Sequence, residues 1–116
     1  INMPKFISVV KFKVKSGEEQ NFIESMRKFQ LPDGLIYRKV INTGDNSYCG
    51  IMEWANEELL ANARPQMIAF LDTIRDILDE ISDDLGVTDP ASGPLIIDQS
   101  GLVTEPGKTI SGKIKT

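Results

Sequence analysis

Along this chain the spacing of hydrophobic and polar positions switches between a period of two and a helical period, and each switch marks an element. Residues 5–14, "KFISVVKFKV", alternate as a strand does, with Phe6, Val10, Phe12 and Val14 on one face and Ile7 and Val9 on the other. Ser16 with Glu19 three residues on reads as a capping box. Phe22, Ile23, Met26 and Phe29 then predict an amphipathic helix from about residue 17 to 30. "LPDG" at 31–34 is a turn, because Pro32 presets one dihedral and Gly34 permits a positive one. In "LIYRKVIN", 35–42, Leu35, Tyr37 and Ile41 are assigned to one face of a second strand, and Ile36 and Val40 to the other. "TGDN" at 43–46 is a hairpin signal leading into a third strand, "SYCGIMEW", 47–54.

Asn56 followed by Glu57 and Glu58 caps and charges the start of a helix. Pro65 predicts a kink or break after a short turn, then a long helix from about 65 to 85 on the stripe Met67, Leu71, Ile74, Leu78, Ile81 and Leu85. "GVTDPASGP" at 86–94 reads as a loop and "LIID" at 95–98 as a short buried fourth strand. The order predicts an α+β fold: a ferredoxin-like βαββαβ protomer with an antiparallel four-stranded sheet. Residues 4–100 form the expected single domain, and 101–116 an extended C-terminal arm or mobile tail.

"SYCGIMEW" has no obvious solvent side: Tyr48, Gly50, Met52 and Trp54 alternate with Ser47, Cys49, Ile51 and Glu53. Two helices cover only one face of such a sheet, so an isolated protomer would expose apolar surface on the other. A second copy packed sheet to sheet resolves this, which makes a homodimer the expected state.

Composition narrows the chemistry. The chain has 41% hydrophobic and 26% charged residues, ordinary for a globular protein, and no apolar run approaches the roughly 20 residues needed to span a bilayer. No membrane is expected as a partner. The beginning of the sequence lacks the pattern of a secretory signal, so a cytoplasmic setting is expected. Histidine is absent, which removes the commonest general base and the usual zinc and haem ligand. Cys49 is the single cysteine, so a thiolate cluster within one chain is excluded and packing is its expected role. A net charge of -4 argues against nucleic acid. The acids Asp72, Asp76, Asp79, Glu80, Asp83 and Asp84 read as a solvated helix face, and neither metal nor cofactor is expected. "GLVTEPGKT" at 101–109 is not a phosphate loop, because it places five residues between its glycines where four are needed.

Three stretches carry a family resemblance: the strand followed by "KSGEEQNFIESM", the turn "DGLIYRKV", and "MEW" before "ANEELL". With Glu53–Trp54 and the spacing to Leu60, they make the chain, over about residues 4 to 98, similar to the antibiotic-biosynthesis-monooxygenase-like branch of the dimeric α/β-barrel superfamily. The resemblance implies a pocket between sheet and helices in each protomer, and cofactor-independent oxygenation of aromatic polyketides or haem degradation as family activities. Members often carry a histidine nine residues after the strand-three Trp. This chain has Ala63 there, between Asn62 and Arg64, so histidine-based haem and proton-shuttle roles do not carry over.

The candidate ligand-binding residues are Trp54, Met52, Met67, Phe70, Arg64, Asn62, Tyr37, Arg38, Met26 and Phe12. Met26, Met52 and Met67 suit an adaptable apolar lining, and Arg38 or Arg64 suits a carboxylate head group. Trp54 stands where strand three meets the second helix, equally suited to a pocket wall and to core packing. The leading expectation is a homodimer that binds a small hydrophobic or amphipathic molecule such as a fatty-acid-like carboxylate. One alternative is a cofactor-independent monooxygenase acting on an aromatic polyketide-like substrate, oriented by Trp54, Tyr37 and Asn62. The other is a non-catalytic interaction subunit.

Overall fold

A computed structural model describes residues 3–99, and the arm expected at 101–116 and the rejected phosphate loop lie outside them. Strand β1 (Phe6–Lys13) is followed by helix α1 (Glu19–Arg27), strands β2 (Leu35–Gly44) and β3 (Ser47–Trp54), helix α2 (Glu57–Asp72), a short 3-10 turn (Arg75–Ile77) and strand β4 (Thr88–Pro94). The sheet runs β2-β3-β1-β4 with every neighbouring pair antiparallel, which is the ferredoxin-like βαββαβ arrangement. No helix among the described residues is long and apolar enough to cross a membrane.

Register fixes which side chains share a face. Phe6, Ser8, Val10 and Phe12 of β1 stand opposite Trp54, Met52, Gly50 and Tyr48 of β3, and opposite Pro94, Ser92, Pro90 and Thr88 of β4. The helices cover this side. At one end Phe22 and Met26 of α1 pack with Phe12, Tyr48, Val14, Ile74 and Leu78. At the other, Leu60 and Ala63 of α2 pack with Phe6 and Trp54. On the uncovered side lie Ile7, Val9, Cys49 and Ile51, with Lys11, Lys13 and Glu53 among them.

Several expectations are corrected. A bulge between Leu35 and Tyr37 puts Leu35 opposite Trp54 but Tyr37 opposite Glu53, so these two residues face opposite sides rather than one. Arg38, Val40 and Asn42 thereby join the covered face. The capping box does not form: α1 starts after Glu18, which makes no side-chain cap, and Oε1 of Glu19 is shielded without a hydrogen-bond partner. Gly17 at φ +85° turns the chain instead.

Pro65 does not break α2, which runs through it from the Asn56 cap, where the side chain accepts from the Leu59 amide at 3.0 Å. Pro65 and Ala61 both lie on the exposed side of the helix, where the loss of the Pro65 N–H to the Ala61 carbonyl costs least. The helix expected to about residue 85 ends at Asp72. Continuing it would set Asp79, Glu80, Asp83 and Asp84 against the negative end of the helix dipole. Instead, Leu78 bridges to Val14 and the Asp79 amide donates to the Lys13 carbonyl at 2.7 Å, which extends the pairing of β1. Ile74 and Leu78, on either side of the 3-10 turn, are both buried.

The fourth strand is the expected loop, Thr88–Pro94, and not "LIID". Its two prolines are tolerated because β4 is an edge strand with one neighbour. After the Leu95 amide bonds the Lys5 carbonyl at 2.8 Å, Ile96 and Ile97 stand 83% and 73% exposed.

Candidate functional site

Between the two packed ends of the covered face, the sheet carries no aromatic side chain. One row across the strands reads Val40, Gly50, Val10, Pro90, and the next reads Arg38, Met52, Ser8, Ser92. The flanking rows hold Tyr48 with Phe12 and Trp54 with Phe6. Bulk at both ends and its lack in the middle leave a cavity of about 240 Å³ under α2. That is about eight water volumes, just below the usual range of ligand pockets.

The floor of the cavity is Ser8, Val10, Phe12, Gly50 and Met52. Its roof comes from Leu60, Arg64, Met67, Ile68, Phe70, Leu71 and Ile74, while Met26 and Phe29 with Arg38 close one side and Thr88, Pro90 and Ser92 the other. Gly50 keeps the floor open, since a Cβ there would sit 3.4 Å from Val10 Cγ1 in ordinary contact and a larger side chain would fill the space.

Arg38 is the main charge in this apolar setting. Its Nη1 donates to the Met26 carbonyl at 2.9 Å, its Nη2 reaches Met26 Sδ at 3.5 Å, and its guanidinium lies 4.9 Å from the centre of the Phe29 ring. The carbonyl belongs to the last turn of α1, where the helix dipole favours a cation. Loss of water around the guanidinium lowers its pKa below the ordinary arginine value. Among the described residues no carboxylate pairs with it. Two of its five N–H groups are engaged, so donors remain for a ligand. A second hollow, about 400 Å³, lies along α1 and β2, bordered by exposed Val40 and Ile41, with Met26 and Arg38 forming the wall between the two.

Of the candidate residues, Phe12, Met26, Arg38, Met52, Arg64, Met67 and Phe70 meet around the cavity. Trp54 shares their face of the sheet but is fully buried beside it, its indole N–H donating to the Ser8 hydroxyl at 3.0 Å. Tyr37 is turned to the uncovered face by the bulge, and Asn62 is exposed on α2 outside the lining. Sequence reasoning missed Ser8, Gly50, Ser92 and Phe29. The first three are small residues within strands, and only the strand register reveals that they face the cavity. Cys49 is buried with a free thiol. Among the described residues no group of three or more His, Cys, Asp or Glu is gathered as metal ligands would be.

No protein-family model matches the sequence, and no curated protein matches it. Solved structures do. A conserved protein from Methanosarcina mazei superposes with a TM-score of 0.66 at 18% identity, covering 80% of this chain and 94% of that one. A protein from Nitrosomonas europaea, provisionally assigned as an antibiotic biosynthesis monooxygenase, gives a TM-score of 0.68 at 12% identity, with 83% and 94% covered. SnoaB, a cofactor-independent oxygenase from Streptomyces nogalater, gives 0.57 at 16% identity, with 89% and 98% covered. At these identities the likeness is one of fold alone: the chain shares the ferredoxin-like fold of these structures.

Proposed function

We propose that this chain, which shares the fold of antibiotic-biosynthesis-monooxygenase-like proteins, binds a small amphipathic carboxylate, such as a fatty-acid-like molecule, in the cavity under α2. The observation that carries this reading is Arg38: a guanidinium without a carboxylate partner among the described residues, at the side of an otherwise apolar cavity. A carboxylate there makes charge-assisted hydrogen bonds, while methionine and phenylalanine side chains take the tail. Arg64, exposed at the roof, offers a second cation. Native mass spectrometry of the protein after incubation with a lipid extract tests the reading: a retained fatty-acid mass supports it, and an empty protein contradicts it.

The protein acts as a homodimer in this reading. Ile7, Val9 and Ile51, all half-buried, form an apolar centre on the face that no helix covers, and a second sheet would bury them. A cytoplasmic setting belongs to the same reading, in keeping with a lone free thiol.

A second reading, oxygenation of an aromatic substrate without metal or flavin, is favoured by the likeness to SnoaB. Trp54, Tyr37 and Asn62, the residues expected to orient such a substrate, lie outside the cavity lining, which is why the binding role comes first. Anthrone incubated with the protein in air decides: quinone absorbance formed faster than without protein supports oxygenation, and an unchanged rate argues against it.

A further inference from the structure

One row of the sheet joins the only guanidinium on the strands of this face to a pair of hydroxyls. Arg38 on β2 stands opposite Met52 on β3, Met52 opposite Ser8 on β1, and Ser8 opposite Ser92 on β4, and all four line the cavity. Neighbouring strands lie about 4.8 Å apart, so the backbones of Arg38 and Ser8 are separated by about 10 Å, with the Met52 side chain between them.

Direction matters at Ser8. A hydroxyl has one hydrogen to give and two lone pairs to receive with. The buried indole of Trp54 donates to Ser8 Oγ at 3.0 Å, which occupies one acceptor site. No acceptor for the Ser8 hydrogen is found among the described residues. A ligand oxygen with a free lone pair is the partner this hydroxyl lacks, and leaving it unsatisfied in a half-buried site carries a free-energy cost.

We propose that the cavity selects a carboxylate bearing a second, hydrogen-bond-accepting oxygen toward its far end, with the carboxylate on Arg38 and a carbonyl oxygen on the Ser8 hydroxyl that Trp54 orients. The inference rests on the carboxylate reading above and adds the chemistry of the other end. Trp54 is then a positioning residue that acts through Ser8, and Ser92, exposed at the mouth, offers a further hydroxyl for a longer ligand.

Calorimetric titration with octanoate and with 7-oxooctanoate tests it. The keto acid is expected to bind about fivefold to tenfold more tightly, the worth of one added hydrogen bond. In Ser8→Ala the preference should vanish, the two acids binding equally. Ser8→Thr keeps the hydroxyl and should keep the preference, so a loss in Ser8→Ala is not mistaken for damage to the fold. Equal binding of both acids by the wild-type protein would overturn the selection while leaving the carboxylate site standing. Binding of neither would remove both.

Discussion

The guanidinium of Arg38 donates to the Met26 carbonyl at 2.9 Å, which places a cation from the edge strand β2 on the last turn of α1. It ties the helix end to the sheet and keeps donors free for an anion. Arg38→Met should therefore weaken octanoate binding by about tenfold or more and lower stability by about 1 kcal/mol. Arg38→Lys should recover part of the affinity, because an ammonium keeps the charge but not the planar fork. Titration calorimetry and urea unfolding separate the two effects.

Burial lowers the Arg38 pKa, so the fold disfavours the charged form, and the linked gain in stability appears only as pH rises past that lowered value toward the ordinary arginine value, in strong alkali. With no histidine in the chain, nothing in the Arg38 pairing titrates near neutrality. Octanoate affinity should be level from about pH 6 to 9 and fall below about pH 5 as the ligand carboxyl protonates. A fall between pH 6 and 8 would show that a different group controls binding.

Gly34 has φ +85°, and a Cβ there would come within 2.6–2.8 Å of three Leu59 side-chain atoms. Left-handed strain and a clash at the start of α2 act together. Gly34→Ala should cost about 2 kcal/mol, measured as a lowered urea midpoint with an unchanged slope. Gly17 is a control: its φ is also +85°, but the space around it is open, so Gly17→Ala should cost only about 1 kcal/mol.

Ile51 faces away from the helices, opposite Val9 on β1 and Lys39 on β2. Ile51→Glu puts a charge at the centre of the apolar patch assigned to the second subunit. Sedimentation should show a dimer for the wild type and a monomer for the variant. A wild-type monomer would remove the homodimer from the proposal.

Much of this fold was legible in the sequence, because β1, β3 and the hairpin at Asp45–Asn46 carry strong local signals: β-branched and aromatic residues bounded by turn residues, with Asn46 at φ 58°. Elements set by tertiary pairing were not. The fourth strand has few apolar residues since it lies at an edge and borders the cavity mouth, whereas the apolar run "LIID" falls beyond its last rung. The stripe through Leu78 looked helical because burial every three or four residues suits a 3-10 turn and a bridge to Val14 as well as it suits a helix. For the candidate site, apolar and cationic lining residues could be named from residue type alone. The bulge after Leu35, which separates Tyr37 from the cavity face and brings Arg38 to it, has no such mark.

Methionine methyl groups offer the most direct test, because three of the four methionines, Met26, Met52 and Met67, line the cavity while Met3 is 52% exposed away from it. Titrating carbon-13 methyl-labelled protein with octanoate should shift the signals of those three and leave that of Met3 in place. An unmoved set, or a shift at Met3 alone, would contradict a carboxylate bound beside Arg38.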